Sequence, residues 1–143
     1  MSVGNKKQYN RCKEKGICTS CEHVEAIAGE VFCLSCKEEH NEDKRNRTKR
    51  IREEVTAHYG GRCACPHCPE TNPAFLTLDH LTKEGRERDK KAKGSVLWAK
   101  VKKMGFPNDV CLHCWNCNCA RAFNKGICPH VEMDKVFITE TYF

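Results

Sequence analysis

The sequence predicts a small, metal-stabilised protein of the α+β class, and three observations lead to this prediction. The chain has 143 residues, of which 39% are apolar and 31% are charged, so it can bury only a small hydrophobic core. It contains 13 cysteines, most of them in C-x2-C pairs. Apolar segments with strand character alternate with charged segments that have helical periodicity.

The cysteine pattern favours bound metal over disulfides. The N-terminal segment MSVGNKKQYNRCKEKG is polar and basic, without the apolar stretch of a signal peptide, and no run of the chain approaches transmembrane length. An odd number of cysteines with repeated C-x2-C spacing is typical of thiolates that stay reduced in a cytoplasm and bind metal. We therefore expect a cytoplasmic protein with no membrane partner.

The first metal module is predicted over residues 1–40. Two knuckles with the spacing C-x2-C-x11-C-x2-C flank a short segment that contains Gly29 and can fold as a hairpin. Four thiolates satisfy tetrahedral zinc and leave no open position for water, so the site is structural. The predicted ligands are Cys18, Cys21, Cys33 and Cys36.

A basic helical linker is predicted over residues 41–61. The charged stretch 37–59 lacks Gly and Pro and has Ile51, Val55 and Tyr59 at i, i+4 spacing, which predicts a helix that ends at Gly60. The net charge of +6 is concentrated around residues 44–52 and 83–103, which suits a polyanionic partner, although a solvated basic surface is the alternative. The candidate DNA-binding residues are Lys44, Arg45, Arg47, Lys49, Arg50, Arg52, Lys100, Lys102 and Lys103.

The remaining elements are short. We expect a first strand from Phe75 to Asp79, followed by a polar loop over 81–93 and a helix that is capped by Ser95 and runs to Lys103. A second strand at Val110–Leu112 and a helix over Asn118–Asn124 should follow. The tail at 131–143 contains a VFIT segment that can add a strand.

A second structural zinc site is predicted from the knuckles CPHC and CWNC, which are 45 residues apart. The preferred ligands are Cys65, Cys68, Cys114 and Cys117. This choice puts Asn118 on the first turn of the following helix. Two alternatives stay open: Cys63 can replace Cys65, and Cys111 with Cys114 also has C-x2-C spacing. Whether Cys128 and His130 of ICPH bind a further metal is also open.

Asp79 and His80 are the candidate chemical groups at the end of the first strand. A carboxylate is a hard oxygen ligand suited to magnesium, and a neutral imidazole can take a proton from water at physiological pH. As a dipeptide, Asp-His is more often a structural hydrogen-bonded pair, so the interpretation depends on its context.

That context resembles a known family. A knuckle, a strand ending in LTLDH, a loop, a second strand and then CWNCNCARAFNKG together closely resemble the zinc-containing HNH nucleases of the His-Me finger group, especially small phage-type members. The resemblance covers roughly residues 58–130, and some of these proteins also carry N-terminal C-x2-C pairs and a basic helix. It implies a ββα-metal HNH domain with treble-clef-like zinc knuckles over residues 62–130, after a zinc ribbon-like N-terminal module.

The resemblance also implies roles for individual residues. In that family a histidine at the end of the first strand is the general base, the aspartate before it binds a divalent cation, and a residue of the helix after the second knuckle is a further cation ligand; the matching positions are His80, Asp79 and Asn118. The implied cofactors are two structural Zn²⁺ ions and a catalytic Mg²⁺ or Mn²⁺. The implied partner is double-stranded DNA, nicked or cut through both strands, and a protein of a phage DNA-processing system is a further possible partner.

One position departs from the family pattern. The middle asparagine of the family precedes the second strand and orients the histidine, whereas counting back nine residues from Asn118 gives Asp109, with Asn108 one position away. We expect one of these two residues to orient His80. The alternative function is a non-catalytic zinc protein that binds nucleic acid through the same basic surface, in which Asp79 and Asn118 form no metal site.

Overall fold

The computed structural model describes residues 3–130 of the chain, and the VFIT segment lies outside this range. The elements are α1 (Val3–Glu14), α2 (Leu34–His58), β1 (Leu76–His80), α3 (Lys83–Asp89), α4 (Ser95–Lys103), β2 (Val110–Cys114) and α5 (Trp115–Phe123). The predicted small α+β architecture is confirmed. Within residues 3–130, no helix has both the length and the apolar character needed to span a membrane.

The chain divides into two units between Arg47 and Thr48, which we call the N-terminal unit and the C-terminal unit. The N-terminal unit has a core of Cys18, Cys33 and Cys36, against which Cys21 and Phe32 pack. Its knuckles are joined by a segment that folds back on itself, since the Thr19 amide donates to Val31 O at 2.8 Å. The predicted hairpin is therefore present as a turn, closed by the Ile27 amide, which donates to Phe32 O at 3.0 Å, rather than as two regular strands.

Helix α2 begins three residues earlier than the sequence predicted, because the second knuckle is part of its first turn: the Lys37 amide donates to Cys33 O at 2.9 Å. It ends where it was expected to end. Gly60 and Gly61 have φ angles of 87° and 67°. The Gly61 amide caps the helix by donating a hydrogen bond to Thr56 O at 2.8 Å.

The C-terminal unit is built around an antiparallel pair of strands, β1 and β2, in which Leu76 faces Cys114 and His80 faces Val110. Leu76 and Leu112 are fully buried and belong to the same core cluster as Val55 and Val101. Helix α5 follows β2 directly and contacts both strands. The order β1, β2, α5 brings the end of the first strand close to the first turns of the helix.

The segment that was predicted to be a loop contains helix α3, so that prediction is wrong. Thr82 caps this helix by accepting a hydrogen bond from the Gly85 amide at 3.0 Å. Glycine is a poor helix former, but a Cβ atom at position 85 would collide with the Asp109 carboxylate. Helix α4 has the predicted bounds, although the residue at its N-cap is Gly94, with φ of 53°, and Ser95 is its first helical residue.

Candidate metal and catalytic site

The four predicted ligands of the first zinc site lie together. The sulfur atoms of Cys18, Cys21, Cys33 and Cys36, which we call the N-terminal cysteine group, are all within 4.8 Å of one another, and this set could hold a metal ion. Cys18 is fully buried. The local C-x2-C spacing was therefore sufficient to identify the set.

The second predicted set is corrected at one position. The structure groups Cys63, rather than Cys65, with Cys68, Cys114 and Cys117, and we call this set the inner group. The Cys114 amide donates to Cys63 Sγ at 3.2 Å, and the Cys63 amide itself donates to Glu70 O at 2.9 Å. These hydrogen bonds hold Cys63 beside the end of β2, which the sequence spacing could not reveal.

Cys65 belongs to a different set. Its sulfur lies with Cys117, Cys128 and His130, and we call these four residues the outer group. The sequence left the role of Cys128 and His130 open, and the structure brings both within reach of a common metal ion. The chain therefore has three cysteine-containing sets of four potential zinc ligands within residues 3–130, where two were predicted.

The candidate chemical groups share one cleft of the C-terminal unit. Asp79, His80 and Asn118 all line a cavity of about 590 Å³, which β1, the start of α3 and α5 enclose. The Asp79 and His80 side chains are 12% and 13% exposed. The sequence prediction that these three residues lie close together at the strand end is consistent with this cleft.

Asp79 is held by two residues outside the predicted site. Arg121 Nη1 donates to Asp79 Oδ2 at 2.8 Å, and His113 Nδ1 lies 3.1 Å from the same oxygen. Burial opposes ionisation of this carboxyl group, but the His113 hydrogen bond and the Arg121 charge lower its pKa below the ordinary value. Asp79 is therefore an anion whose Oδ2 is held in place.

Asn118 is oriented by β1. Its Nδ2 donates to Thr77 Oγ1 at 2.9 Å and lies 3.4 Å from Leu78 O. These contacts show that the amide nitrogen of Asn118 faces β1. The amide oxygen, Oδ1, is therefore the atom that can accept a hydrogen bond or bind a cation. A carboxylate oxygen of Asp79 and the amide oxygen of Asn118 are hard donors, the kind of ligand that Mg²⁺ and Mn²⁺ prefer.

His80 contacts Asp89, a residue that the sequence analysis did not single out. His80 Nε2 lies 2.9 Å from Asp89 Oδ2, and the Asp89 side chain has no exposed surface. Arg88 Nη2 donates to the same carboxylate at 2.9 Å, and Lys100 Nζ lies 2.6 Å from Oδ1. Burial raises the pKa of Asp89, but the hydrogen bonds from Arg88, Lys100 and His80 outweigh it and lower the pKa well below the usual range.

Asp109 does not take the predicted orienting position. Its carboxylate binds Arg88, whose Nη1 donates to Asp109 Oδ2 at 2.8 Å, and Arg88 in turn binds Asp89. Two residues, Asp89 and Arg88, therefore separate Asp109 from His80. The Asp89 contact depends on α3, which ends at Asp89 and was expected to be a loop, so no local signal in the sequence pointed to it.

The predicted DNA-binding cations fall into two sets. Three are partly buried and contact distant residues of the C-terminal unit: Arg52 donates to Pro73 O at 2.8 Å, Lys100 binds Asp89, and Lys102 binds Glu54. These three stabilise the C-terminal unit. The other six side chains are exposed, namely Lys44, Arg45, Arg47, Lys49, Arg50 and Lys103.

The cleft has cations of its own. Lys83, Arg86, Arg121 and Lys125 line it beside Asp79 and His80; Lys83 and Arg86 belong to the basic stretch 83–103, but none of the four was among the candidate DNA-binding residues. Lys83, Arg86 and Lys125 are exposed and therefore accessible to a solute. Four positive side chains around one anion and one imidazole suit a negatively charged substrate.

Comparison of the chain with protein-family models, with curated proteins and with solved structures gave no match.

Proposed function

We propose that the chain is a metal-dependent DNA endonuclease of the HNH type, which hydrolyses phosphodiester bonds in the cleft beside β1. The observation that carries the proposal is the shared cleft of Asp79, His80 and Asn118, surrounded by four cationic side chains. The cations attract phosphate, the two hard oxygen donors suit a divalent cation, and the histidine can act on water.

The contact between His80 and Asp89 supports the role of general base. An ionised carboxylate only accepts hydrogen bonds, so neutral His80 donates its Nε2–H to Asp89 Oδ2. The lone pair of the imidazole is then on Nδ1, the nitrogen that takes a proton from the attacking water. Asp89 is a positioning residue, which holds the tautomer and the ring plane and stabilises the imidazolium once it has formed.

Asp79 and Asn118 would hold the divalent cation, which when bound stabilises the negative charge that develops on the scissile phosphate and the leaving oxygen. Arg121 and His113 orient the Asp79 carboxylate through Oδ2. Lys83 and Arg86, on the first turns of α3, would bind the phosphates next to the scissile bond.

The test is relaxation of supercoiled plasmid DNA by the zinc-loaded protein, with and without added Mg²⁺ or Mn²⁺. We expect cleavage that requires the added ion. The variant His80→Ala should lower the rate by at least about 100-fold, the usual contribution of a general base, while DNA affinity measured in Ca²⁺ by fluorescence anisotropy stays within about twofold.

The matched control is His23→Ala, which removes an exposed histidine of the N-terminal unit and should leave cleavage unchanged. Cleavage retained by His80→Ala would refute the assigned role of His80. DNA binding by the parent protein without cleavage in either ion would favour the alternative, a non-catalytic zinc-containing nucleic-acid-binding protein.

A further inference from the structure

Cys117 belongs to both cysteine groups of the C-terminal unit. The inner group consists of Cys63, Cys68, Cys114 and Cys117, and the outer group consists of Cys65, Cys117, Cys128 and His130. Two four-coordinate zinc ions need eight ligand positions, and these sets contain seven different residues. Seven residues fill eight positions when one thiolate binds both ions. We propose that the C-terminal unit binds a dinuclear zinc centre in which Cys117 Sγ bridges the two ions.

The sulfur–nitrogen distances within the outer group match tetrahedral zinc. With Zn–S of about 2.3 Å and Zn–N of about 2.0 Å, a sulfur and a nitrogen bound to the same ion lie about 3.5 Å apart. His130 Nδ1 lies 3.6 Å from Cys65 Sγ, 3.5 Å from Cys117 Sγ and 3.4 Å from Cys128 Sγ. One imidazole nitrogen at the right distance from three sulfurs is the arrangement that a shared ion requires.

The inner group has the same kind of geometry. Two sulfurs on one tetrahedral zinc ion lie about 3.8 Å apart, and Cys68 Sγ is 3.7 Å from Cys114 Sγ. The backbone also favours thiolates there, because the Cys114 amide donates to Cys63 Sγ and the Cys117 amide donates to Cys114 Sγ. The six cysteines of the two groups are all at most 7% exposed. Packing of neutral thiols would not require a histidine nitrogen among three of these sulfurs.

The outer ion would have a distinct structural role. Cys128 and His130 follow α5, whereas Cys117 is on its first turn and Cys65 precedes β1. One ion therefore ties the segment after α5 to the start of that helix. Lys125 and Gly126, in the same segment, line the cleft, so the outer ion holds one wall of it. This role is independent of nuclease activity and concerns ions other than the proposed catalytic cation.

The experiment replaces zinc in the full chain with ¹¹³Cd, counts the bound ions by native mass spectrometry and records a ¹¹³Cd NMR spectrum. We expect three ions per chain: two whose resonances split each other through the shared sulfur, and one unsplit resonance from the N-terminal cysteine group. Three unsplit resonances would overturn the bridge. Binding of only two ions would overturn the outer site.

Variants separate the two ions. Cys128→Ser should lower the count from three ions to two and abolish the splitting, while Cys119→Ser, which changes a cysteine outside every group in residues 3–130, should keep three ions and the splitting. Retention of three ions by Cys128→Ser would contradict the proposal. If Cys128→Ser does not fold, the spectrum of the parent protein still decides between a bridged pair and separate sites.

Discussion

The two units of this chain use cysteine in different ways. In the described part of the N-terminal unit, every buried apolar side chain is a cysteine, namely Cys12, Cys18, Cys33 and Cys36. The C-terminal unit also buries cysteines, but beside them it buries Leu76, Leu112, Val101 and Trp98. Bound metal would therefore replace a hydrophobic core in the first unit, whereas in the second it would add cross-links to an existing core.

The ligands also differ in how far apart they are in the sequence. The N-terminal cysteine group spans residues 18–36, while the inner and outer groups draw on residues from 63 to 130. A set of ligands that are close together in the sequence would stabilise one short segment of the chain. A distant set would tie the segment before β1 to the end of β2 and to α5, which is what a multi-residue site such as Asp79, His80 and Asn118 needs.

The largest loss of stability is expected when one potential zinc ligand of the N-terminal unit is removed. Cys33→Ser removes a thiolate from a site whose zinc would supply most of the folding free energy of this unit, on the order of 10 kcal/mol for small zinc domains. We expect the whole segment 17–33 to lose protection from hydrogen exchange, including the Thr19 and Ile27 amides, while β1 and β2 stay protected. The measurement is hydrogen–deuterium exchange with mass spectrometry.

The control for this change is Cys12→Ser, which alters a buried cysteine on α1 that is outside the metal group. It should leave protection of residues 17–33 largely intact. Equal loss of protection in the two variants would mean that cysteine packing, rather than metal binding, stabilises the N-terminal unit.

A smaller loss of stability is expected when an aliphatic side chain of the C-terminal unit is truncated. Leu76→Ala should destabilise the C-terminal unit by about 2–5 kcal/mol with zinc bound, because Leu76 is fully buried in an aliphatic core and its truncation leaves a cavity. Urea denaturation followed by tryptophan fluorescence measures the change. Val96→Ala, at a position 62% exposed, should change stability by less than about 0.5 kcal/mol. Similar small values for both variants would show that the metals alone stabilise this unit.

The smallest expected effect concerns Asp89 and depends on pH. Asp89→Asn should cost about 1–3 kcal/mol at pH 7, less than for a fully buried pair, because Arg88 and Lys100 are about a third exposed. The pKa of Asp89 is lower in the folded chain than the value of about 3.9 for a free aspartate. Its stabilising contribution is therefore complete above about pH 4 and is lost as the pH falls below that value.

Denaturation of parent and variant at several pH values between 7 and 3.5 tests this dependence. The difference in unfolding free energy should shrink at the acidic end, because Asp89 takes up a proton in the unfolded chain at a higher pH than in the folded chain. Glu87→Gln, which changes an exposed carboxylate, should show almost no difference at any pH. A difference between Asp89→Asn and the parent that stays constant over the whole range would contradict the assigned ion pairs.

Local chemistry explains which predictions agree with the structure. The ends of α2 and α4 follow from Gly60 and Gly105, and the N-terminal cysteine group follows from two turns that each present a C-x2-C pair. Helix α3 was missed because its sequence, KEGRERD, is polar and contains a glycine. That glycine is explained by the close approach of Asp109, a residue 24 positions away in the chain.

The sequence alone was therefore sufficient to predict the fold class, the N-terminal set of potential metal ligands, the strand that ends in Asp79 and His80, and the helix that carries Asn118, because each depends on neighbouring residues. The tertiary structure alone decided between Cys63 and Cys65, placed Cys117 in two groups and gave His80 the carboxylate of Asp89 instead of Asp109. These outcomes depend on side-chain directions at the ends of paired strands and on contacts between distant segments. Residue spacing carries no record of either.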